Sequence, residues 1–404
     1  MSNTIITPTI IAKEAALQVV NNMVMGNLVH RDFKNEFVKI GDTVSYRRPV
    51  KFVVNDGADI TSQVQDVVEY KDTLQINKRK NVAFSIPSAD LTLSIEKISE
   101  RYITPAAIRL ANQIDSDGLA EYIHVYNAEG TAGTTPNSFA LLGAPSKKLN
   151  QYAVPLDNRN LVLNPAAQFQ AADVMKGLYH PKMIEDAFRS VSIGPIAGMD
   201  TYMAQNVKSH TAGVGTGTPT VTGTITASTG NPDTAFAVTT TAWTVSTTGI
   251  VKAGDIITFG VAGGVGVYGV NPVSGESTGE LQQFVVTADA NSAASTGAST
   301  ISVLPAMIVT GPYKTVTRVP VASEVINFTA SHAANLAFHK NAFALVTCPI
   351  EVPEDATGAM MTYKDVSIRY VKWYNGVTDQ QIYRLDILYG WKTVYPEFAV
   401  RLKG

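Results

Sequence analysis

The spacing of apolar positions changes several times along the chain. Over residues 9–29, Ile10, Ile11, Leu17, Val20 and Val24 recur at helical spacing behind Thr9, a suitable cap, and Gly26 weakens the end, so a helix is predicted. From 37 to 86 the period drops towards two. "DTVSYRRPVKFVV" and "DTLQINKRKNVAFSI" are β-branched and aromatic, Val82, Phe84 and Ile86 alternate, and Asp56-Gly57 is a turn signal between the runs. A long hairpin is expected. Residues 88–127 return to helical spacing. Thr104-Pro105 reads as a cap followed by proline at the first helical position, and Ile108, Ala111, Ile114, Leu119 and Ile123 follow on one face. A helix from 104 to 127 would form a spine roughly 35 Å long. After the loop "NAEGTAGTTPNS", Asn164-Pro165 opens a further helix by the same cap logic, and "KMIEDAFRS" reads as another.

The texture shifts at residue 209. Residues 209–317 carry seven charges, Asp233, Lys252, Asp255, Glu276, Glu280, Asp289 and Lys314, in a background of Thr, Ser, Gly, Val and Ala. Short strand-like runs recur at the spacing of a β-sandwich or barrel, with Phe236, Trp243, Phe259 and Phe284 as core material. After residue 320 the mixed texture returns, so the β-block reads as inserted into a loop of another domain, with its ends close together. The sequence closes on "RLDILYGWKTVYPEFAVRLKG", strand-like apart from a break at Pro396, with Tyr395, Phe398, Val400 and Leu402 large or apolar. Ordering such a segment costs about 1–2 kcal/mol per residue in backbone entropy, so it is expected to complete a sheet. The fold class is α+β.

Composition narrows the function classes. At 404 residues, 45% hydrophobic and 16% charged, the chain can build large cores and has few charges with which to coat a monomer. This favours a protein that covers itself with copies of itself. With 32 basic and 34 acidic residues the net charge is −2, without the basic excess of a dedicated nucleic-acid binder. The single cysteine, Cys348, lies in apolar "FALVTCPIEVP" and reads as a small buried hydrophobe. The opening residues lack the pattern of a signal peptide, no run is long and apolar enough for a membrane helix, and an intracellular, soluble protein is expected.

Catalytic motifs are missing. "GVGVYG", Gly264 to Gly269, matches the dinucleotide spacing on paper, but "VNPVSGESTGE" after it is not helical. No P-loop, H-E-x-x-H, C-x-x-C or G-x-S-x-G occurs. His332 and His339 are seven apart and could share a helical face, without a carboxylate at ligand spacing. Glu351, Glu354 and Asp355 read as a solvated loop. No catalytic residue, cofactor or metal is expected. The mixed charges of the long hairpin, Arg47, Arg48, Lys51, Asp56, Asp59, Asp66, Glu69, Lys78, Arg79 and Lys80, read as a solvated face or, more sharply, as candidate inter-subunit contacts in which opposite charges set register.

Several stretches resemble the major capsid proteins of tailed double-stranded-DNA phages, in particular the coat proteins of short-tailed enterobacterial phages that carry an inserted β-domain. They are "IAGMDTYMAQNVKSHTAG" (196–213), "VKAGDIITFGVAG" with "NPVSGESTGELQQFVVTAD" (251–289), "NLAFHKNAFALVTCPIEVP" (335–353) and "DVSIRYVKWYNGVTDQQIYRLDILYGWKTVYPEFAVRL" (365–402). The resemblance implies an N-terminal arm (1–36), an extended loop (37–86), a peripheral domain with the spine helix (87–145), a first axial part (146–208), an inserted β-domain (209–318) and a segment completing the axial and peripheral domains (319–404). It implies a subunit that self-assembles as hexamers and pentamers of an icosahedral virion shell in the host cytoplasm, with a separate scaffolding protein, a portal, non-specific contact with packaged DNA and no membrane partner. Some members crosslink a lysine to an asparagine; no motif assigns such a pair here, and the adjacency of Lys340 and Asn341 is not evidence for one. The glycine-rich "FGVAGGVGVYGVNPVSGESTG" departs from the family pattern, so the loop contacts of relatives do not carry over. Two rival classes are an adhesin or decoration protein with a glycan-binding β-domain, and an enzyme.

Overall fold

In the computed structural model, residues 8–31, 43–54, 57, 61, 64–87, 99–175, 194–260, 265–354 and 356–404 are described. "KMIEDAFRS", Asp56 and Asp59 fall outside them. The chain divides into two units. One comprises 1–46, 72–119 and 343–394; the other comprises 47–71, 120–342 and 395–404.

The first unit is built on an antiparallel sheet around the long strand Gln380–Thr393, which pairs with Lys78–Pro87, Val366–Asn375 and Phe343–Cys348; Thr357–Tyr363 extends it beyond Val366–Asn375. The alternation of Val82, Phe84 and Ile86 thus serves this sheet. Among the described residues, the expected hairpin ladder is confined to Thr43–Arg47 against Lys71–Gln75. The spine is an α-helix over Thr104–Leu119, about 24 Å long, tightening to a 3-10 turn at Ala120–His124. It is shorter than its periodicity suggests because "DSDG" near its end favours helix poorly. Gly118 is dictated by packing: a Cβ there would lie 2.5 Å from the ring of Trp391.

The predicted N-terminal helix is split into Pro8–Asn22 and a short turn, Met25–Leu28. Its buried face is Ala12, Ala15, Ala16, Val19 and Val20, while Ile10 is exposed. Of the expected stripe, Val20 is buried and Ile11, Leu17 and Val24 are half-buried, while the rest of the buried face is largely alanine. The helix packs against the spine helix and the strands Thr357–Tyr363 and Val366–Asn375, and small side chains permit close approach.

The second unit holds a sheet in the order Ala128–Glu129, Ala399–Lys403, His332–His339, Arg159–Leu163, Asp200–Met203. The final strand pairs antiparallel with His332–His339 and parallel with Ala128–Glu129, so both its edges are satisfied. Leu142, Leu149, Leu161, Leu163, Ala337, Val400 and Leu402 form its core. Asn164 caps the helix Pro165–Met175, its Oδ1 accepting the Ala167 N–H at 2.8 Å.

The β-block follows the strand pattern read from the sequence. Six antiparallel strands run in the order Ile326–Phe328, Ile256–Phe259, Phe284–Val286, Ser299–Leu304, Phe236–Trp243, Gly217–Val221. A bridge between Thr220 and Val325, with Val221 N–H on the Glu324 carbonyl, draws the two edges together as in a barrel. Trp243, Phe259 and Phe284 are buried in a core of its own. The last strand lies past residue 318, so the block extends further than 209–318. Its entry and exit segments pair directly, His210 with His332 and Ser209 with Ala333, which brings the ends of the block together.

Candidate functional site

Residues 48–54 and 64–70 are the two legs of a loop that leaves the ladder and returns to it. The Arg48 N–H donates to the Tyr70 carbonyl at 3.0 Å, the first link between the two legs. Further out, Gln65 brackets Val53: its Oε1 accepts the Val53 N–H at 2.8 Å and its Nε2 donates to the Val53 carbonyl at 2.6 Å. Phe52, Val53, Val54, Val64, Val67 and Val68 are all exposed, Val54 at 93%. A short segment displaying six large apolar side chains to water is the mark of a surface that something covers.

The foot of this loop is fixed from inside the unit. Arg48 is only 8% exposed. Its guanidinium ion-pairs with Asp233 of the β-block and, at 3.3 Å, with Glu397, and lies 4.9 Å from the ring centroid of Tyr395. A planar guanidinium suits this role because it can bond two carboxylates and stack at once. Tyr313 joins both legs: its hydroxyl accepts the Lys51 N–H at 3.3 Å and donates to the Val68 carbonyl at 3.1 Å, and its ring meets Tyr70 edge-on at 4.9 Å.

The ten charged candidates therefore separate. Lys51, Asp66 and Glu69 are exposed on the loop, and Arg47, also exposed, pairs with Glu69 at 2.9 Å. Arg48 is buried within the unit, where it anchors the foot of the loop. Lys78, Arg79 and Lys80 lie on the sheet strand of the first unit, Lys78 at 3.8 Å from Asp117 and Arg79 at 3.7 Å from Asp386. Reasoning from sequence missed Asp233, Glu397 and Tyr313. One signal was there. In a block with so few charges, three of the five carboxylates have a charged or imidazole partner: Asp233 takes Arg48, Asp255 takes His210 at 2.7 Å, and Glu280 takes Lys147 and Lys148.

Among the described residues, no group of three or more His, Cys, Asp or Glu is placed to hold a metal. His332 and His339 lie on one β-strand, an odd number of positions apart, and so face opposite ways; the shared helical face expected for them is corrected. His332 lies beside His210, and burial lowers its pKa to about 4. "GVGVYG" leads into the strand Tyr268–Val270, which pairs with Ser277–Leu281 and is no helix. Cys348 is buried. No helix among the described residues is long and apolar enough to cross a membrane.

The chain is 23% identical over 385 residues to the major capsid protein of Acyrthosiphon pisum secondary endosymbiont phage 1, spanning 90% of this chain and 89% of that one. Solved structures similar to it include those of Mycobacterium phage Che8, with a TM-score of 0.48 at 14% identity over 94% of this chain and 90% of that one, and of the mature capsid of bacteriophage PhiM1, with a TM-score of 0.44 at 10% identity over 94% and 86%. The family described as P22 coat protein, gene protein 5, matches residues 2–404. This chain belongs to that family of phage coat proteins, and its role is structural rather than enzymatic.

Proposed function

We propose that, within the self-assembling shell, the loop at 47–71 is the segment by which one subunit engages the next. What supports this is a single combination: six exposed apolar side chains on a loop whose foot is anchored by the buried Arg48. The apolar residues would supply the contact, and the exposed charges Arg47, Lys51, Asp66 and Glu69 its register. A shell needs many moderate contacts of about 1,600 Å² each, made secure by number and geometry. The barrel would act as an inserted domain, the first unit as the peripheral domain and the sheet around His332–His339 as the axial one. A separate scaffolding protein and a portal would complete assembly in the host cytoplasm, and contact with packaged DNA would be non-specific and weak per subunit, in keeping with a net charge of −2. The adhesin reading finds no support in the family.

Electron microscopy of the expressed protein tests the loop. Wild-type chain is expected to yield shells or sheet-like assemblies. Chain carrying Val54→Asp and Val67→Asp should remain soluble and fail to assemble, because both side chains are exposed in the isolated subunit. Normal shells from the double variant would refute the role.

A further inference from the structure

Tyr313 has no counterpart in any motif of the sequence, yet it contacts both legs of the loop. The tyrosine hydroxyl has one proton to give and lone pairs to accept with, and both capacities are used: it takes the Lys51 N–H from the outgoing leg and serves the Val68 carbonyl on the returning leg. The ring adds the edge-on contact with Tyr70, and the Lys51 ammonium lies 5.9 Å from its centroid. Between the Arg48–Tyr70 hydrogen bond and the Gln65 bracket, the legs form no regular ladder among the described residues. One side chain from the β-block thus stands where a rung of backbone pairing would be. Arg48 fixes the foot through Asp233 of the same block. Two fixed points define a direction where one would leave a pivot.

We propose that Tyr313 is the positioning residue that sets the direction of the extended loop, so that the β-block controls how the loop is presented to a neighbouring subunit. The second half of this rests on the reading of the loop as an inter-subunit contact. The partner is a second copy of this chain, and the loop residues aimed at it are the exposed Phe52 to Val54 and Val64 to Val68 segments.

Hydrogen exchange on unassembled subunits, followed by assembly and electron microscopy, tests both halves on wild type, Tyr313→Phe and Tyr313→Ala. The phenylalanine keeps the ring and loses the bridge. Its Lys51 amide should exchange about fivefold faster, the loss of one ordinary hydrogen bond. The alanine variant should extend the effect to Tyr70. Barrel amides of Phe284–Val286 should keep wild-type protection in both, and soluble subunit yield should hold, while the proportion of closed shells among the particles falls well below that of wild type assembled alongside. Should the alanine variant lose barrel protection, the phenylalanine variant decides. Wild-type exchange at Lys51 and Tyr70 in both variants would overturn the positioning role, whatever the shells look like. A loosened loop with normal shells would leave that role standing and overturn the contact with the neighbour.

Discussion

Asp115 lies buried on the spine helix, its Oδ2 accepting the Val24 N–H at 2.5 Å and its Oδ1 the Gly26 N–H at 3.0 Å. Burial raises its pKa to about 6, with those N–H groups and that of Met25 opposing the shift. A carboxyl with a raised folded-state pKa adds stability that is full below its unfolded value, near 3.8, and lost as pH rises through about 6. Glu280 has the opposite sign. Partial burial pushes it up, but hydrogen bonds from Lys147 and Lys148 prevail and hold it at about 2, so its contribution is present above about 4.5 and lost as pH falls towards 2. Urea midpoints followed across pH should separate the two. Asp115→Asn should flatten the decline between pH 4 and 6, and Glu280→Gln should remove part of the loss below pH 4.5. Unchanged slopes in either variant would contradict the assignment for that residue.

At the scale of elements, the final strand shows what local pattern reveals and what it conceals. Its strand character is legible in Val400 and Leu402, and so is its need for a sheet. Its place between one antiparallel and one parallel neighbour is not, because Ala128 and His332 lie far off in sequence. The same holds for Lys78–Pro87, whose alternation is plain and whose partner, Gln380–Thr393, is some three hundred residues away. Helix caps and barrel strands are readable because turn residues and period act locally. Arg48 misleads for the complementary reason: beside Arg47 it looks solvated, and only its distant partners Asp233 and Glu397 make burial tolerable. In the final strand, Arg401 is fully buried; its Nη1 donates to the Gly254 carbonyl at 2.7 Å and its guanidinium lies over Tyr122. The strand therefore holds a charged side chain against the β-block as well as an apolar row in the core. Leu402→Ala should cost about 2–4 kcal/mol of stability, read from urea unfolding. Deleting 394–402 should abolish soluble subunit, because it removes Val400, Leu402 and Arg401 together and exposes the edges of two strands. Recovery of soluble, assembly-competent truncated chain would show that the strand is dispensable.

For the whole molecule, the low share of charge and the near-zero net charge gain meaning once the fold is known. Many of the charged side chains are engaged within the subunit: Asp386 is fully buried beside Arg369 and Arg384, Lys148 beside Glu280, Arg318 beside Glu324. The exposed charges of the loop lie next to exposed apolar residues, as at the rim of an interface. Such a subunit can meet its copies without long-range repulsion, and nothing in that arrangement sets how many should close into one shell. Contacts that are individually moderate and electrostatically permissive admit several curvatures. Closure at one size would then call for a second component, which is why a scaffolding protein is proposed. Expressed alone, the coat protein should give few shells of uniform diameter and a mixture of smaller particles, open sheets and tubes. Co-expression with the scaffolding protein of the same phage should narrow that distribution to one peak. Sedimentation and electron microscopy of the two preparations decide it: abundant uniform shells from the coat protein alone would place the control of curvature within this chain, with Tyr313 and the loop it holds as the first residues to examine.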